Sequence, residues 1–468
     1  MADPDDLDVR LAVFLEGALG REGLEVGKLR RLSGGASRET WSFELLDALT
    51  GTIEPLILQR VRAGVVGGNA MMEGEATLLA AAGARGVPVA PVLAASNDPS
   101  VVGSPFLVMG WVGGETIARR LLRDDEFAHA RSVLVAQCAR ALAAIHQVAV
   151  GDGPHLRSQE PIGQLRDLID AMGQPHPAFE LALRWLDDHR PPDREPTVVH
   201  GDFRLGNLMV GTDGLRAVLD WELAHVGDPM EDLGWLCVRA WRFGASLPVA
   251  GLGTYDELYG AYAEASGREV DPEVVRWWEV LGTLRWGVIC ILQASSHLSG
   301  ASRSVELAAI GRRVCENEYD LLCLIGADAH RSGPSSDDAG RDGGSPMAPA
   351  LHDAPSAAHL VEAVREFLEG DVMAATDGRV QFHSRVAGRV LAMVERELAE
   401  GPEPGRRHDA RLQALGCADD AALAAAIRAG HLDARRGEVE AAVWLDVLAK
   451  VRVANPDYLL PADRPAGE

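Results

Sequence analysis

Val198-Val199-His200-Gly201-Asp202-Phe203-Arg204-Leu205-Gly206-Asn207-Leu208-Met209-Val210, followed at 217–222 by Ala-Val-Leu-Asp-Trp-Glu, is the stretch that decides how this 468-residue chain folds. Two short apolar runs bracket a loop that carries a carboxylate, Asp202, and an amide, Asn207. A second carboxylate, Asp220, ends a third apolar run 18 residues beyond Asp202. Gly211-Thr212-Asp213-Gly214 has the composition of a hairpin turn. The pattern predicts strand, loop, strand, turn and strand, the hairpin bringing the last two strands together.

The residue types suit one chemistry. A carboxylate can orient a hydroxyl and accept its proton. A neutral amide oxygen and a charged carboxylate oxygen suit Mg²⁺, a hard cation that prefers oxygen ligands and keeps several waters. The spacing D-x-x-x-x-N is that of a kinase-type catalytic loop, with Gly201 where protein kinases carry Arg. Phosphoryl transfer depends mostly on positioning and charge neutralisation, and these groups supply both. His-Gly-Asp alone fits an ordinary turn, with Asp202 a turn acid and Asn207 a left-handed cap. The longer constellation is far more specific, because Asp220-Trp221-Glu222, Gly227-Asp228-Pro229 and Asp232 follow in order.

On His200-Gly201-Asp202…Asn207 and Asp220-Trp221-Glu222, residues from about 25 to 325 resemble the aminoglycoside phosphotransferase and choline kinase-like superfamily. Phe203-Arg204-Leu205-Gly206 and Gly227-Asp228-Pro229 are similar to a branch related to the phosphotransferase domain of certain acyl-CoA dehydrogenases. The resemblance implies an α+β, two-lobed protein-kinase-like fold, with a small antiparallel sheet lobe and a mainly helical large lobe. It implies ATP and Mg²⁺ as cofactors and a hydroxylated small molecule as acceptor. By matching positions, Asp202 becomes the catalytic base and Asn207 and Asp220 the metal ligands.

The segment before this stretch reads as the nucleotide-binding lobe. Ser33-Gly34-Gly35-Ala36-Ser37 is a small-residue turn between apolar runs, and Ser33, Gly34 and Gly35 are the expected phosphate cradle. Standing alone, the same residues suit an ordinary hairpin turn. Glu75 lies on a helix predicted over 72–82 and matches the acid that pairs with the phosphate-holding cation; the alternative is a solvated helix residue. Met109, Gly110 and Val112 match an interlobe hinge that would meet adenine, the alternative being one more buried strand. Kinase-like folds usually hold the α and β phosphates with a lysine on the third strand. The whole chain has two lysines, Lys28 and Lys450, and neither can occupy that place. Gln59 aligns with it; a shift of one residue presents Arg60, the expected substitute, and Arg62 is also near.

Residues 1–112 thus form the expected nucleotide-binding lobe and 113–330 the catalytic lobe. Residues 331–351, dominated by Gly, Pro, Ser and Asp, read as a flexible linker. Beyond it, apolar stripes at Val361, Val364 and Leu368, at Val386, Val390, Val394 and Leu398, and at Val443, Val447 and Val451 predict a helical bundle over 352–468. This bundle resembles an uncharacterised helical domain appended to some bacterial phosphotransferases. It offers either a homodimer contact or a face for its own large lobe.

Bulk properties exclude other classes. A formal net charge of −24 disfavours nucleic acid as a partner. Six cysteines occur singly, without a Cys-x-x-Cys pair, so buried free thiols are expected in preference to a zinc site or disulfides. The acidic start, Met1-Ala-Asp-Pro-Asp-Asp, does not read as a signal peptide, and Trp286–Leu292 is too short an apolar run to span a membrane. No membrane association and a cytoplasmic location are therefore expected. No Gly-Lys-Ser/Thr loop or Rossmann glycine pattern offers another nucleotide class. The reading is an ATP- and Mg²⁺-dependent phosphotransferase acting on an alcohol group. Its alternative is an inactive kinase-like module with a regulatory or scaffolding role, favoured by the missing lysine.

Overall fold

The computed structural model describes residues 6–32, 38–62, 72–153, 155–158, 160–327 and 357–464. The chain divides into two compact units, Met1–Gln159 with Pro192–Glu279, and Glu160–Pro191 with Val280–Glu468. This partition departs from the boundaries read in the sequence, because helices from 160–191 and 280–327 group with the C-terminal helices. The expected linker, 331–351, lies outside the described residues.

The first unit is built on a five-stranded antiparallel sheet of β1 (Leu24–Arg31), β2 (Arg38–Asp47), β3 (Ile53–Val61), β4 (Val92–Ser96) and β5 (Phe106–Gly110). Their order is β1-β2-β3-β5-β4. β4 starts only at Val92, after Pro88 and Pro91, which cannot donate to a ladder. Alternation along the strands sorts the two faces. Phe43, Leu45, Leu56, Leu58, Phe106 and Val108 bury one face under Leu7, Leu11 and Leu15 of the helix Leu7–Leu19. The opposite face carries Arg38, Gln59 and Met109. The helix Met72–Ala84 contributes Glu75 beside it.

Below the sheet come two short ribbons. Thr197–Val199 (β6) pairs with His225–Gly227 (β9), and Leu208–Gly211 (β7) pairs with Gly214–Val218 (β8) across the Gly211-to-Gly214 turn. Glu115 bridges to Val210 with N–H···O bonds of 2.8 and 3.0 Å, tying the segment after β5 to β7. Helices Ala128–Ile145, Met230–Cys237 and Tyr255–Ser266 complete the unit.

The second unit is helical. Val443, Val447 and Val451, each at most 3% exposed, share one core with Leu181, Tyr319 and Leu322 of the helices Pro177–Asp188 and Val314–Leu324. The C-terminal helices share this core with helices that precede residue 330. Buried polar groups are paired across it. Glu318 accepts from His176 at 2.9 Å and Lys450 at 3.2 Å, and Arg428 reaches Glu180 at 2.6 Å. In contrast, Leu360, Val364 and Phe367 are more than half exposed. All six cysteines are free, and five are buried. Among the described residues no helix is long and apolar enough to cross a membrane.

Candidate active site

The loop after β6 is shaped from beneath by one buried carboxylate. Asp232, fully buried, accepts the backbone N–H groups of His200 at 2.8 Å and Gly201 at 2.9 Å, and the His146 Nε2–H at 3.1 Å. The Tyr262 hydroxyl donates to His146 Nδ1 at 2.7 Å. Burial pushes the Asp232 carboxyl upward, but the His146 hydrogen bond and the nearby histidines outweigh it, so its pKa is lowered and the group is ionised. Gly201 turns the chain at φ +76°, where a Cβ would collide with the Leu223 carbonyl oxygen. An Arg at this position has no room.

His200 links this loop to the segment after β8 that carries Asp220. Its Nε2–H donates to the Leu219 carbonyl at 3.0 Å, and its Nδ1 accepts the Asp202 N–H at 3.2 Å. That pattern requires the neutral tautomer. Complete burial, the largest influence, lowers its pKa accordingly. The Leu219 N–H in turn donates to the Asn207 carbonyl at 2.8 Å. Two adjoining residues, Leu219 and Asp220, are thereby fastened to the loop of Asp202 and Asn207, which explains how positions 18 apart in sequence become neighbours.

The Asp202 carboxylate is held by three donors. Oδ1 accepts from the Trp235 indole at 2.8 Å and from Arg204 Nε at 3.1 Å; Oδ2 accepts from Asn207 Nδ2 at 2.6 Å. Arg204 also lies 4.9 Å from the centroid of the Trp241 ring. Because Asn207 spends its amide nitrogen on Asp202, its amide oxygen is the group left for a cation. Asp220 sits at φ +62°, a left-handed conformation uncommon for a residue other than glycine. Burial first, then the charges of Glu222, Asp202 and Glu75, raise its pKa to about 6 despite the attraction of Arg38. Among the described residues no three His, Cys, Asp or Glu side chains group closely enough to hold a metal on their own. An amide oxygen and a carboxylate are hard donors, the kind that suits Mg²⁺ alongside phosphate and water.

Glu75, 7% exposed, lies at the same place but does not receive Arg60. Arg60 was the expected phosphate-holding cation, and the pairing register moves it away. Arg60 is opposite Glu39 and Gln59 opposite Thr40, so the two neighbours face opposite sides of the sheet. The Arg60 guanidinium donates to Glu39 and to the Val102 carbonyl, both at 2.8 Å, on the face covered by the first helix. Gln59 takes the inner face, near Arg38. Arg38, which the sequence reading did not single out, is the residue bound to Glu75, at 2.7 and 2.6 Å. The even spacing of Arg38 with Thr40 and Ser42, opposite in phase to Trp41 and Phe43, was the available signal.

The hinge residues follow directly from β5. Met109 is 8% exposed and opposite Ile57. The Gly110 N–H is already used by the Pro91 carbonyl at 2.8 Å and the Trp111 N–H by Pro55 at 3.1 Å, so neither N–H is free for a ligand. Val112 is in the extended link beyond them. Ser33, Gly34 and Gly35 lie outside the described residues.

Comparison with known proteins bears on the family and the fold. The model of the phosphotransferase enzyme family matches residues 28–278, and that of a domain of unknown function (DUF6285) matches 374–458. Acyl-CoA dehydrogenase family member 10 of Mus musculus is 28% identical over 340 residues, covering 67% of this chain and 30% of the mouse protein. Acyl-CoA dehydrogenase family member 11 of Homo sapiens is 30% identical over 186 residues, covering 37% of this chain and 24% of the human one. The chain thus spans less than a third of the length of these relatives. A crystal structure described as a candidate aminoglycoside phosphotransferase from Ralstonia eutropha superposes with a TM-score of 0.55 at 22% identity, covering 68% of this chain and 98% of that one.

Proposed function

Because this chain belongs to the phosphotransferase enzyme family and has a kinase-like fold, a small antiparallel sheet with a mostly helical remainder, we propose that it transfers the γ-phosphate of ATP to a hydroxyl of a small-molecule metabolite with the help of Mg²⁺. The family and fold support a small-molecule phosphotransferase in general terms. Nucleotide, metal, acceptor group and residue roles are the finer reading.

The setting of Asp202 carries that reading. Trp235, Arg204 and Asn207 fix both carboxylate oxygens; Oδ1 already takes two donors, and Oδ2, with one close donor, retains a lone pair for a substrate hydroxyl. Asp202 would orient that hydroxyl toward phosphorus and take its proton as the bond forms. Asn207 and Asp220 would hold the metal, which when bound neutralises phosphate charge. Asp232 and His200 act at one remove. They clamp the backbone, from buried positions, so that Asp202, Asn207 and Asp220 would keep their relative places. The names of the relatives favour hydroxylated acids or acyl compounds among the acceptors to be tried.

One observation favours a second reading. Gln59 is on the inner sheet face where a phosphate-holding lysine is usual, which suits an inactive, nucleotide-binding module. Full-length protein incubated with Mg²⁺, ATP and a panel of hydroxylated acids, acyl thioesters, amino alcohols and sugars separates the two. Transfer is read as ADP release with gain of a phosphoryl group in acceptor mass. Turnover on one acceptor class, abolished in Asp202→Asn, supports the enzyme. Thermal stabilisation by Mg²⁺–ATP with no transfer anywhere in the panel supports the inactive module.

A further inference from the structure

A polyphosphate needs a cation fixed on the inner face of the sheet, and most of this chain's candidates are elsewhere. Lys28 is on an exposed part of β1, paired with Glu44 at 2.9 Å. Lys450 belongs to the second unit, bound to Glu318. Arg60 is bound to Glu39 on the outer face of the sheet. Arg204 is committed to Asp202.

Arg38 differs from all of these. It opens β2, and its side chain is only 12% exposed. Glu75 grips both terminal nitrogens, at 2.7 and 2.6 Å. Two further contacts are longer: Nε to Glu222 at 3.3 Å and Nη1 to Gln59 Oε1 at 3.4 Å. A guanidinium has five N–H donors, and the Glu75 fork uses two. The short pair anchors the group, while the long contacts are weak enough to be exchanged for phosphate oxygens, which Arg binds well. Glu222 and Asp220 next to it leave more negative charge than one guanidinium balances, which suits a site that also takes a divalent cation.

We propose that Arg38, supplied by the second strand and buttressed by Glu75 and Gln59, is the cation that holds the nucleotide phosphates, so that the clamp of this chain comes from the strand next to the usual one. Gln59 then has a role as well. A neutral amide beside Arg38 accepts one of its N–H groups, where a second cation would repel it. The inference rests on the nucleotide-dependent reading above, but on binding and not on transfer.

Affinity for Mg²⁺–ATP and for adenosine, measured by calorimetry on the full chain, tests it. Arg38→Ala is expected to weaken Mg²⁺–ATP binding about 10- to 100-fold, the loss of one or two charge-assisted contacts, and to leave adenosine affinity within about twofold. Arg60→Ala is expected to leave both unchanged. In Arg38→Ala combined with Gln59→Lys, the new ammonium lies on the inner face beside Glu75, and most of the ATP affinity is expected to return. Unchanged ATP affinity in Arg38→Ala overturns the proposal, and so does an equal loss for adenosine, which would mark a structural role. If the wild type binds Mg²⁺–ATP but phosphorylates no acceptor, the transfer reading fails and the comparison of variants still decides Arg38. Absence of any ATP binding by the wild type overturns both.

Discussion

Replacing Asp220 by Asn should stabilise the metal-free protein while destroying its metal site. The Asp220 pKa is raised from 3.8 to about 6, chiefly by burial and then by Glu222. The native state therefore holds a proton at pH values where the unfolded chain has released it. The unfolded state binds fewer protons between pH 4 and 6, so stability falls as pH rises through that window and is flat above it. A shift of about two units corresponds to about 3 kcal/mol of native-state cost at neutral pH. Asn removes that cost, and it tolerates the left-handed backbone at φ +62° well. The expected outcome is an Asp220→Asn protein more stable than wild type by about 1–3 kcal/mol at pH 8 without metal, the difference shrinking toward zero by pH 4. Thermal melts across pH 4–8 in the presence of a chelator provide the assay. Repeating them with Mg²⁺–ATP should stabilise the wild type and leave the variant nearly unmoved. A variant less stable than wild type at pH 8, or a difference that does not change with pH, would refute the assignment of Asp220 as a strained, uncompensated carboxylate.

Further expectations concern other parts of the chain. Gly201→Ala forces a side chain into the Leu223 carbonyl at positive φ, so transfer should fall at least tenfold while far-ultraviolet circular dichroism stays unchanged; wild-type activity would show that the loop relaxes freely. Glu318 is the opposite case to Asp220: burial raises it, but Lys450 and His176 outweigh burial and hold it at about 2. Its stabilisation is present above pH 4.5 and lost as pH falls through about 2. Lys450→Met should therefore lower the melting temperature at pH 7 and flatten the acid limb of the stability profile, and an unchanged limb would exclude this pair as its source. Trp444→Ala opens the core that the C-terminal helices share with Val314–Leu324, at a cost of about 3–5 kcal/mol. Hydrogen exchange should then quicken in Val314–Leu324 as well as in the helix of residue 444; acceleration confined to the latter would show that the C-terminal helices fold separately.

Local pattern alone was enough for much of this. The hairpin of β7 and β8 follows from apolar runs and turn residues, all set by chain neighbours. The segments of Asp202, Asn207 and Asp220 could be brought together from sequence because the loop and hairpin that carry them are short, leaving the chain few ways to place them. Glu75 could be picked out as an acid on a helix, but its partner could not.

The order of elements and the residue types on each can be read along the chain; which of those side chains meet depends on packing between distant segments. Arg60 and Gln59 are adjacent, and the choice between them depends on the register of β3 against β2 and on which sheet face the first helix covers. Arg38 meets Glu75 across 37 residues, and Val451 finds its core among residues far earlier in the chain. A strand's alternation states that neighbours point to opposite sides, but it does not say which side is the interior. That is settled by burial against distant segments, and a one-residue slip would reverse it.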